Sequence, residues 1–380
     1  MTEDVTKASI GRGPAAEPVT AAAEFETLHE IVKKARQNLS QNDWDYIVGG
    51  SESETTLRRN RLALDSIAFR PRVLRRVDRI ELGTESFGRR VRLPICFAPV
   101  GALEMFHPGA GAAVAAAAQS FGVAHMISSV CKPGLEGVAA AAPDALRIFQ
   151  LYALGDDAFV DDHLARAAAH GYTAFCLTVD TAYYSRRERD IAKRHFTRGR
   201  ARVAGRDFLA RLDWHTVERL RAKNALPLIL KGIATAEDAR IAVEHGVDWI
   251  YVSNHGGRQL DHGRGSMEVL PEIAEAVGGR ARLMVDGGFC RGTDVIKAIA
   301  AGAQMVGLGR MQCFALAAAG EAGLLRLLEI LEDEIRRSLG LLGVTSFAEL
   351  DASYLHPAAP TNAPHVLSAF PLLGIDEYRY

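Results

Sequence analysis

Eight short apolar runs separated by longer stretches constrain this chain more than any other feature. They are Pro94–Ala98, Val123–Ile127, Leu146–Phe149, Ala174–Leu177, Pro227–Leu230, Trp249–Val252, Arg282–Val285 and Met305–Leu308. Each has the length and continuous apolarity of a strand buried on both faces. Ala/Leu-rich stretches of helical period separate most of them, and "AEDARIAVEHG" and "GTDVIKAIAAG" stop at glycine as helix C-caps do. Eight strands alternating with helices predict an α/β fold whose parallel sheet closes into a (β/α)8 TIM barrel. A doubly wound open sheet shares the alternation, but no strand here runs into a Rossmann-type GxGxxG turn.

Around that core the expected organisation is simple. Residues 1–20 read as a flexible N-terminal tail, and residues 21–350 as a single barrel domain that begins with helices within 21–65. Residues 320–350 read as one long amphipathic final helix. Residues 351–380, with the Pro-rich "HPAAPTNAPHV", read as a C-terminal tail that packs on a neighbouring subunit. Hydrophobic residues make up 48% of the 380 and charged residues 24%, as in ordinary globular chains. A net charge of -1 carries no basic excess for nucleic acid. The five cysteines, Cys96, Cys131, Cys176, Cys290 and Cys313, lack metal-ligand spacing, so no metal is expected. They read instead as buried thiols of a reducing, cytoplasmic compartment. No stretch reads as a signal peptide or a spanning helix, and membrane contact is not expected.

In a barrel, chemistry sits where the strands end. Those positions hold Pro99, Val100 and Gly101; Ser128; Gln150 and Tyr152; Thr178 and Asp180; Lys231; Ser253, His255 and Arg258; Asp286 and Gly288; and Gly309 and Arg310. One polar group at a strand end is usually a cap, but such groups at nearly every end predict a ligand site. The glycines of "DGGFCRGTD" and "GLGRM" let backbone N–H groups approach an anion, and Arg310 adds a charged fork. A phosphorylated ligand is therefore expected there. Gln150, Thr178 and Ser128 suit the amide edges of a polar ring, with the positive charge of Lys231 beside it. Arg187, Arg258 and Tyr46 suit a carboxylate. His255 is then the candidate base, and Asp180 the carboxylate that fixes its tautomer.

Read together and in order, "QLYAL", "TVDT…RRERD", "LKGI", "SNHGGRQLD" and "VDGGFCRGTDV" resemble the FMN-dependent L-2-hydroxyacid oxidases and dehydrogenases, from about Phe25 to Thr345. The group includes glycolate oxidase, lactate oxidase and mandelate dehydrogenase. The resemblance implies FMN in a TIM barrel and oxidation of a small (S)-2-hydroxy acid to the 2-keto acid. By position it implies His255 as the base while hydride passes to flavin N5, with Asp180 paired to it. Arg258 and Arg187 match the substrate-carboxylate ligands, Tyr46 assists them, and Tyr152 lies near the substrate hydroxyl. Lys231 matches the lysine at the flavin N1–O2 edge. Ser128, Gln150, Thr178 and Ser253 match ring contacts, and Pro99, Val100 and Gly101 match the backbone under the ring. Asp286 matches a ribityl contact, while Gly288, Gly309 and Arg310 match the phosphate site.

Three departures stand out. Cys290 replaces an arginine at the phosphate, with Arg291 next to it as a partial substitute, and weaker FMN retention is expected. Val130 stands where glycolate oxidase has Trp, and Tyr184 is another pocket-facing change, so a side chain larger than that of glycolate is expected. The basic run from Arg189 to Trp214 is shorter than the family's loop and reads as a solvated lid. Gly101 stands where oxidases often have Ala and several dehydrogenases have Gly, which leaves the electron acceptor open between oxygen and a quinone-like compound. A homotetramer is expected from the family. Two alternatives compete with the oxidation: a non-oxidative FMN barrel of the isopentenyl diphosphate isomerase kind, and a non-catalytic module that binds flavin or a keto acid.

Overall fold

A computed structural model describes residues 24–194, 206–223 and 225–374. The expected tail at 1–20 lies outside the described residues. Three helices come first: α1 (Leu28–Asn38), α2 (Gln41–Val48) and α3 (Thr55–Asp65). The α1 entry is held by the Glu30 carboxylate, which accepts the Thr27 N–H at 2.8 Å. Ser40 caps α2 by accepting the Asp43 N–H at 3.1 Å.

Twelve strands are described. β1 (Ile67–Phe69), β2 (Thr84–Ser86) and β3 (Arg89–Val91) precede the barrel. The barrel comprises β4 (Ile95–Phe97), β5 (Ala124–Ser128), β6 (Leu146–Leu151), β7 (Ala174–Thr178), β8 (Leu228–Ile233), β9 (Trp249–Val252), β10 (Arg282–Val285) and β11 (Met305–Leu308). These eight close in the order β10-β11-β4-β5-β6-β7-β8-β9, all parallel, as the rhythm of the sequence predicts. β12 (Leu355–Pro357) pairs antiparallel with β1.

Around the barrel lie α4 (Ala110–Phe121), α5 (Leu135–Ala141), α6 (Asp157–Ala169), α7 (Glu188–Ala192), α8 (Arg206–Leu209), α9 (Trp214–Lys223), α10 (Ala236–Glu244), α11 (Ser266–Val277), α12 (Gly292–Ala300) and α13 (Arg310–Leu342). The barrel interior holds Cys96, Met126, Cys176, Tyr251, Met284 and Met305, so it is a packed core rather than a pore. Phe87, at the β2–β3 turn, stacks on Trp249 with ring centroids 4.4 Å apart and packs against that core. All five cysteines are buried and unpaired. Among the described residues no helix is long and apolar enough to cross a membrane.

Three expectations need correction. The final helix spans Arg310–Leu342, not 320–350, and non-helical backbone at Ala319 and Gly320 breaks it. Its first half is buried from Met311 to Ala318, so burial rather than amphipathic periodicity defines it. The stretch from 351 to 374 is not a loose tail. After β12 it packs on its own barrel, with Leu367 and Phe370 almost fully buried. The basic run from Arg189 to Trp214 is not a free lid at its start. Arg189 pairs with Glu54 at 2.6 Å and with Asp45 at 3.4 Å, and Lys193 also pairs with Asp45. Those carboxylates sit on α2 and before α3, so the charges stitch α7 to the N-terminal helices. Residues 195–205 lie outside the described residues.

Candidate active site

The carboxyl ends of the barrel strands open into a cleft of about 1570 Å³, counting the solvent at its mouth. Its lining includes Tyr46, Pro99, Val100, Gly101, Tyr152, Arg187, Lys231, His255, Arg258, Asp286, Gly288, Gly309 and Arg310. The strand-end positions read from the sequence thus converge.

Ser128, Gln150, Thr178 and Ser253 do not line the cleft but form a buried polar layer at the strand ends. Strand register places Ser128 beside Gln150 and Thr178 beside Lys231. Gln150 Nε2 donates to Thr178 Oγ1 at 2.8 Å, while Gln150 Oε1 is buried with no partner. Lys231 Nζ donates to Ser253 Oγ at 3.0 Å, Ser253 Oγ donates to Asp286 Oδ1 at 2.6 Å, and Lys231 lies 3.5 Å from Asp286. Burial would lower the Lys231 ammonium, but the Asp286 and Asp180 carboxylates outweigh it and raise its pKa. The ammonium therefore stays charged in a nearly dry site.

His255 sits on the turn after β9 with φ +59, and Gly256 and Gly257 continue the left-handed run. Only glycine fits at 257, where a Cβ would come within 2.5 Å of the Leu57 backbone. Asn254 anchors the turn by exchanging hydrogen bonds with Asn60 of α3 at 2.9 and 2.7 Å. The turn aims the imidazole at Asp180, whose two oxygens lie 3.1 and 3.2 Å from His255 Nδ1. A carboxylate only accepts, so Nδ1 carries the proton and Nε2 keeps its lone pair. Tyr152 Oη lies 3.1 Å from Nε2 and donates to it.

Burial lowers the His255 pKa, partly offset by Asp180. For Asp180, burial pulls upward, but the imidazole beside it, through its charge when protonated and its Nδ1–H bond, together with the Lys231 charge, holds the carboxyl below its ordinary value. Burial, and then the Asp180 charge, raise the Tyr152 phenol. Gly232 makes the pair possible: a Cβ there would lie 2.6 Å from Asp180 Cβ.

Positive charge dominates the rest of the cleft. Arg258 Nη1 donates to the carbonyls of Tyr46 and Gly49 at 2.6 and 2.9 Å. Arg310 donates to Ile47, Gly256 and Gly49 carbonyls at 2.8, 3.0 and 3.0 Å. Arg187 Nε is buried without a hydrogen-bond partner, and its guanidinium lies 5.8 Å from the Tyr46 ring centroid. Among the described residues none of the three forms an ion pair. Burial first, and then Arg187 and Arg310, push Arg258 down to about 9, and burial pushes Arg310 down to about 10. Such crowded cations call for anions.

Some lining residues escape the strand-end logic. Arg61 of α3 donates to Asp294 at 2.8 and 2.9 Å and to the Gly288 carbonyl at 2.9 Å, tying α3 to the loop after β10. The signal was a charge on the apolar stripe of α3, between Leu57 and Leu64. Phe106, Cys313 and Val366 also line the cleft and carry no motif. Arg291 does not substitute for the arginine missing at Cys290. It pairs with Glu334 at 2.6 Å and its Nη1 lies 3.5 Å from the Ala369 carbonyl.

A TIM barrel with a histidine–aspartate pair, a buried lysine and, among the described residues, three arginines without ion-pair partners at its rim defines a site for proton transfer beside anionic ligands. The family model described as FMN-dependent dehydrogenase matches residues 35–357, and the chain belongs to that family. It is 38% identical over 369 residues to glycolate oxidase 3 of Arabidopsis thaliana, covering 91% of this chain and 99% of that one. It is 36% identical over 364 residues to an L-lactate oxidase of Nostoc, covering 89% and 100%. A solved mandelate oxidase variant with a C4a-OH-FMN adduct superposes with a TM-score of 0.80 at 40% identity, covering 87% of this chain and 99% of that one.

The cofactor is FMN, and the site fits it. The partnerless Gln150 Oε1 is a buried acceptor waiting for a ring N–H. A Cβ built at Gly309, where α13 begins, would meet nothing within 4 Å, so there is open space at a helix N-terminus suited to a phosphate.

Proposed function

We propose that the protein oxidises an (S)-2-hydroxy acid to the 2-keto acid, with His255 as the base. FMN, when bound, supplies the acceptor for the two electrons and the hydrogen leaving C2. The observation that carries the reading is the buried His255–Asp180 pair, with His255 on a cleft whose Arg187 and Arg258 guanidiniums form no ion pair among the described residues. Arg258 and Arg187 hold the substrate carboxylate, assisted by Tyr46. His255 Nε2 then takes the hydroxyl proton, and Asp180 stabilises the imidazolium that forms. Tyr152, already on Nε2, orients the hydroxyl. Lys231, held charged by Asp286, stabilises negative charge on the cofactor ring beside Ser128, Gln150, Thr178 and Ser253. Pro99, Val100 and Gly101 support the ring, Asp286 meets the ribityl chain, and Gly288, Gly309 and Arg310 receive the phosphate.

Val130 is 39% exposed at the cleft, and Val100, Phe106 and Tyr184 share its wall. This apolar rim supports a branched or aromatic substrate side chain. Gly101 packs against Val130 so closely that a Cβ would lie 2.8 Å from its methyl. We propose oxygen or a quinone-like compound as final acceptor. The homotetramer expected from the family is proposed as well, and the exposed Val73, Leu74 and Leu341 offer apolar surface for a subunit contact. The unpaired buried thiols support a cytoplasmic location.

The test is anaerobic mixing of the yellow holoenzyme with (S)- and (R)-2-hydroxy acids of increasing side-chain size. Bleaching by (S)-acids, fastest with branched or aromatic ones, is expected. A flavin that stays oxidised with every acid would favour the isomerase-like or non-catalytic alternatives.

A further inference from the structure

The FMN-dependent dehydrogenase match stops at residue 357, yet the described chain runs on to residue 374. Those last residues turn back onto the barrel. Ala358 N–H donates to the Ser66 carbonyl at 2.9 Å, and Leu367, Phe370 and Leu373 are buried at 1%, 0% and 7% exposure. Phe370 meets the His29 ring of α1 edge-on at 5.6 Å. Between these anchors Val366 lines the cofactor cleft together with Phe289, Cys290, Gly309 and Arg310. Three residues on, the Ala369 carbonyl lies beside Arg291, the neighbour of Cys290. At this end of the cleft Cys290 stands where the resemblance places an arginine. Burial pushes the Cys290 thiol up to about 11, so it is neutral, and Arg291 is committed to Glu334.

We infer that residues 358–374 form a strap that retains FMN by closing the cleft wall beside Cys290, where a guanidinium would otherwise hold the cofactor by charge. The inference rests on the placement of the phosphate at Gly288, Gly309 and Arg310. A closed apolar wall acts on escape rather than on attraction. It raises the barrier to leaving without adding a contact to the anion, so its signature is the dissociation rate. Val366 forms the wall, and Leu367 and Phe370 pin it to the core.

The experiment follows release of FMN from the holoenzyme after dilution, by recovery of free-flavin fluorescence. Phe370→Ala is expected to release FMN at least tenfold faster than the unaltered protein, and Val366→Gly at least threefold faster. Leu372→Ala, on the same segment but 76% exposed, leaves the rate unchanged. Far-UV circular dichroism reports whether Phe370→Ala folds; if it does not, Val366→Gly decides alone, because its side chain is only partly buried. Release as slow in folded Val366→Gly as in the unaltered protein would overturn the strap. Arg310→Met separates this from the phosphate placement. Unchanged release in that variant counts against the placement, whereas unchanged release in the strap variants counts against the strap.

Discussion

Replacing Asp180 with asparagine tests the paired base with little change of shape. The carboxylate lies 3.1 and 3.2 Å from His255 Nδ1, with side-chain exposures of 14% for Asp180 and 16% for His255. Two unit charges about 4 Å apart interact by about 4 kcal/mol at an effective dielectric constant near 20. Asparagine gives up that attraction as the imidazolium forms, and it can also present an N–H to Nδ1 and favour the wrong tautomer. At 1.36 kcal/mol per factor of ten, and with the proton only partly transferred in the transition state, flavin reduction slows by roughly 10²–10³-fold. The assay is anaerobic stopped-flow loss of oxidised-flavin absorbance at saturating substrate, which isolates the step from the acceptor. The apparent dissociation constant for the acid should change little, because Arg258 and Arg187 are untouched. A reduction rate within threefold of the unaltered protein would refute the reasoning.

Three further outcomes follow from the same geometry. His255 must be neutral to accept a proton, and burial lowers its pKa from 6.5. Hence kcat/KM should stay flat through neutrality and fall only as pH drops below that value, and Asp180→Asn should move the acid limb lower still; a limb above pH 6.5 would contradict this. Gly232→Ala places a methyl 2.6 Å from Asp180 Cβ at a φ of +116, a backbone strain of about 1–3 kcal/mol. A lower Tm and at least tenfold slower reduction are expected, and unchanged reduction would show that the fit of Asp180 does not matter. Cys290→Arg restores a charge-assisted donor of about 1.5–3 kcal/mol, so equilibrium titration should show FMN affinity rising about tenfold or more; no gain would count against the phosphate placement.

The barrel was legible because parallel strands buried on both faces are continuous apolar runs, and all eight runs overlap the observed strands. The rim residues were legible because chemistry collects at strand ends, and the resemblance supplied their order. What lay hidden depends on tertiary contacts. "HPAAPTNAPHV" carries the composition of a tail, and only packing shows that Leu367 and Phe370 anchor it. The break at Ala319 and Gly320 falls in an otherwise Ala/Leu-rich stretch, where a glycine rather than a proline marks it, and a lone glycine inside a helical pattern does not by itself foretell a break. Arg291 stands next to Cys290 in sequence, but Glu334, from the second half of α13, turns it to another partner. Arg310 finds three carbonyls at the α2 end and on the His255 turn, which no strand-end pattern foretells.

His255→Gln in the FMN-loaded protein tests the central claim most directly. Glutamine keeps the size and polarity but removes the basic lone pair, so FMN content and binding of a 2-keto acid should persist. Anaerobic reduction by an (S)-2-hydroxy acid that bleaches the unaltered enzyme should slow by about 10²–10⁴-fold. A His255→Gln protein that bleaches at the unaltered rate would contradict the account.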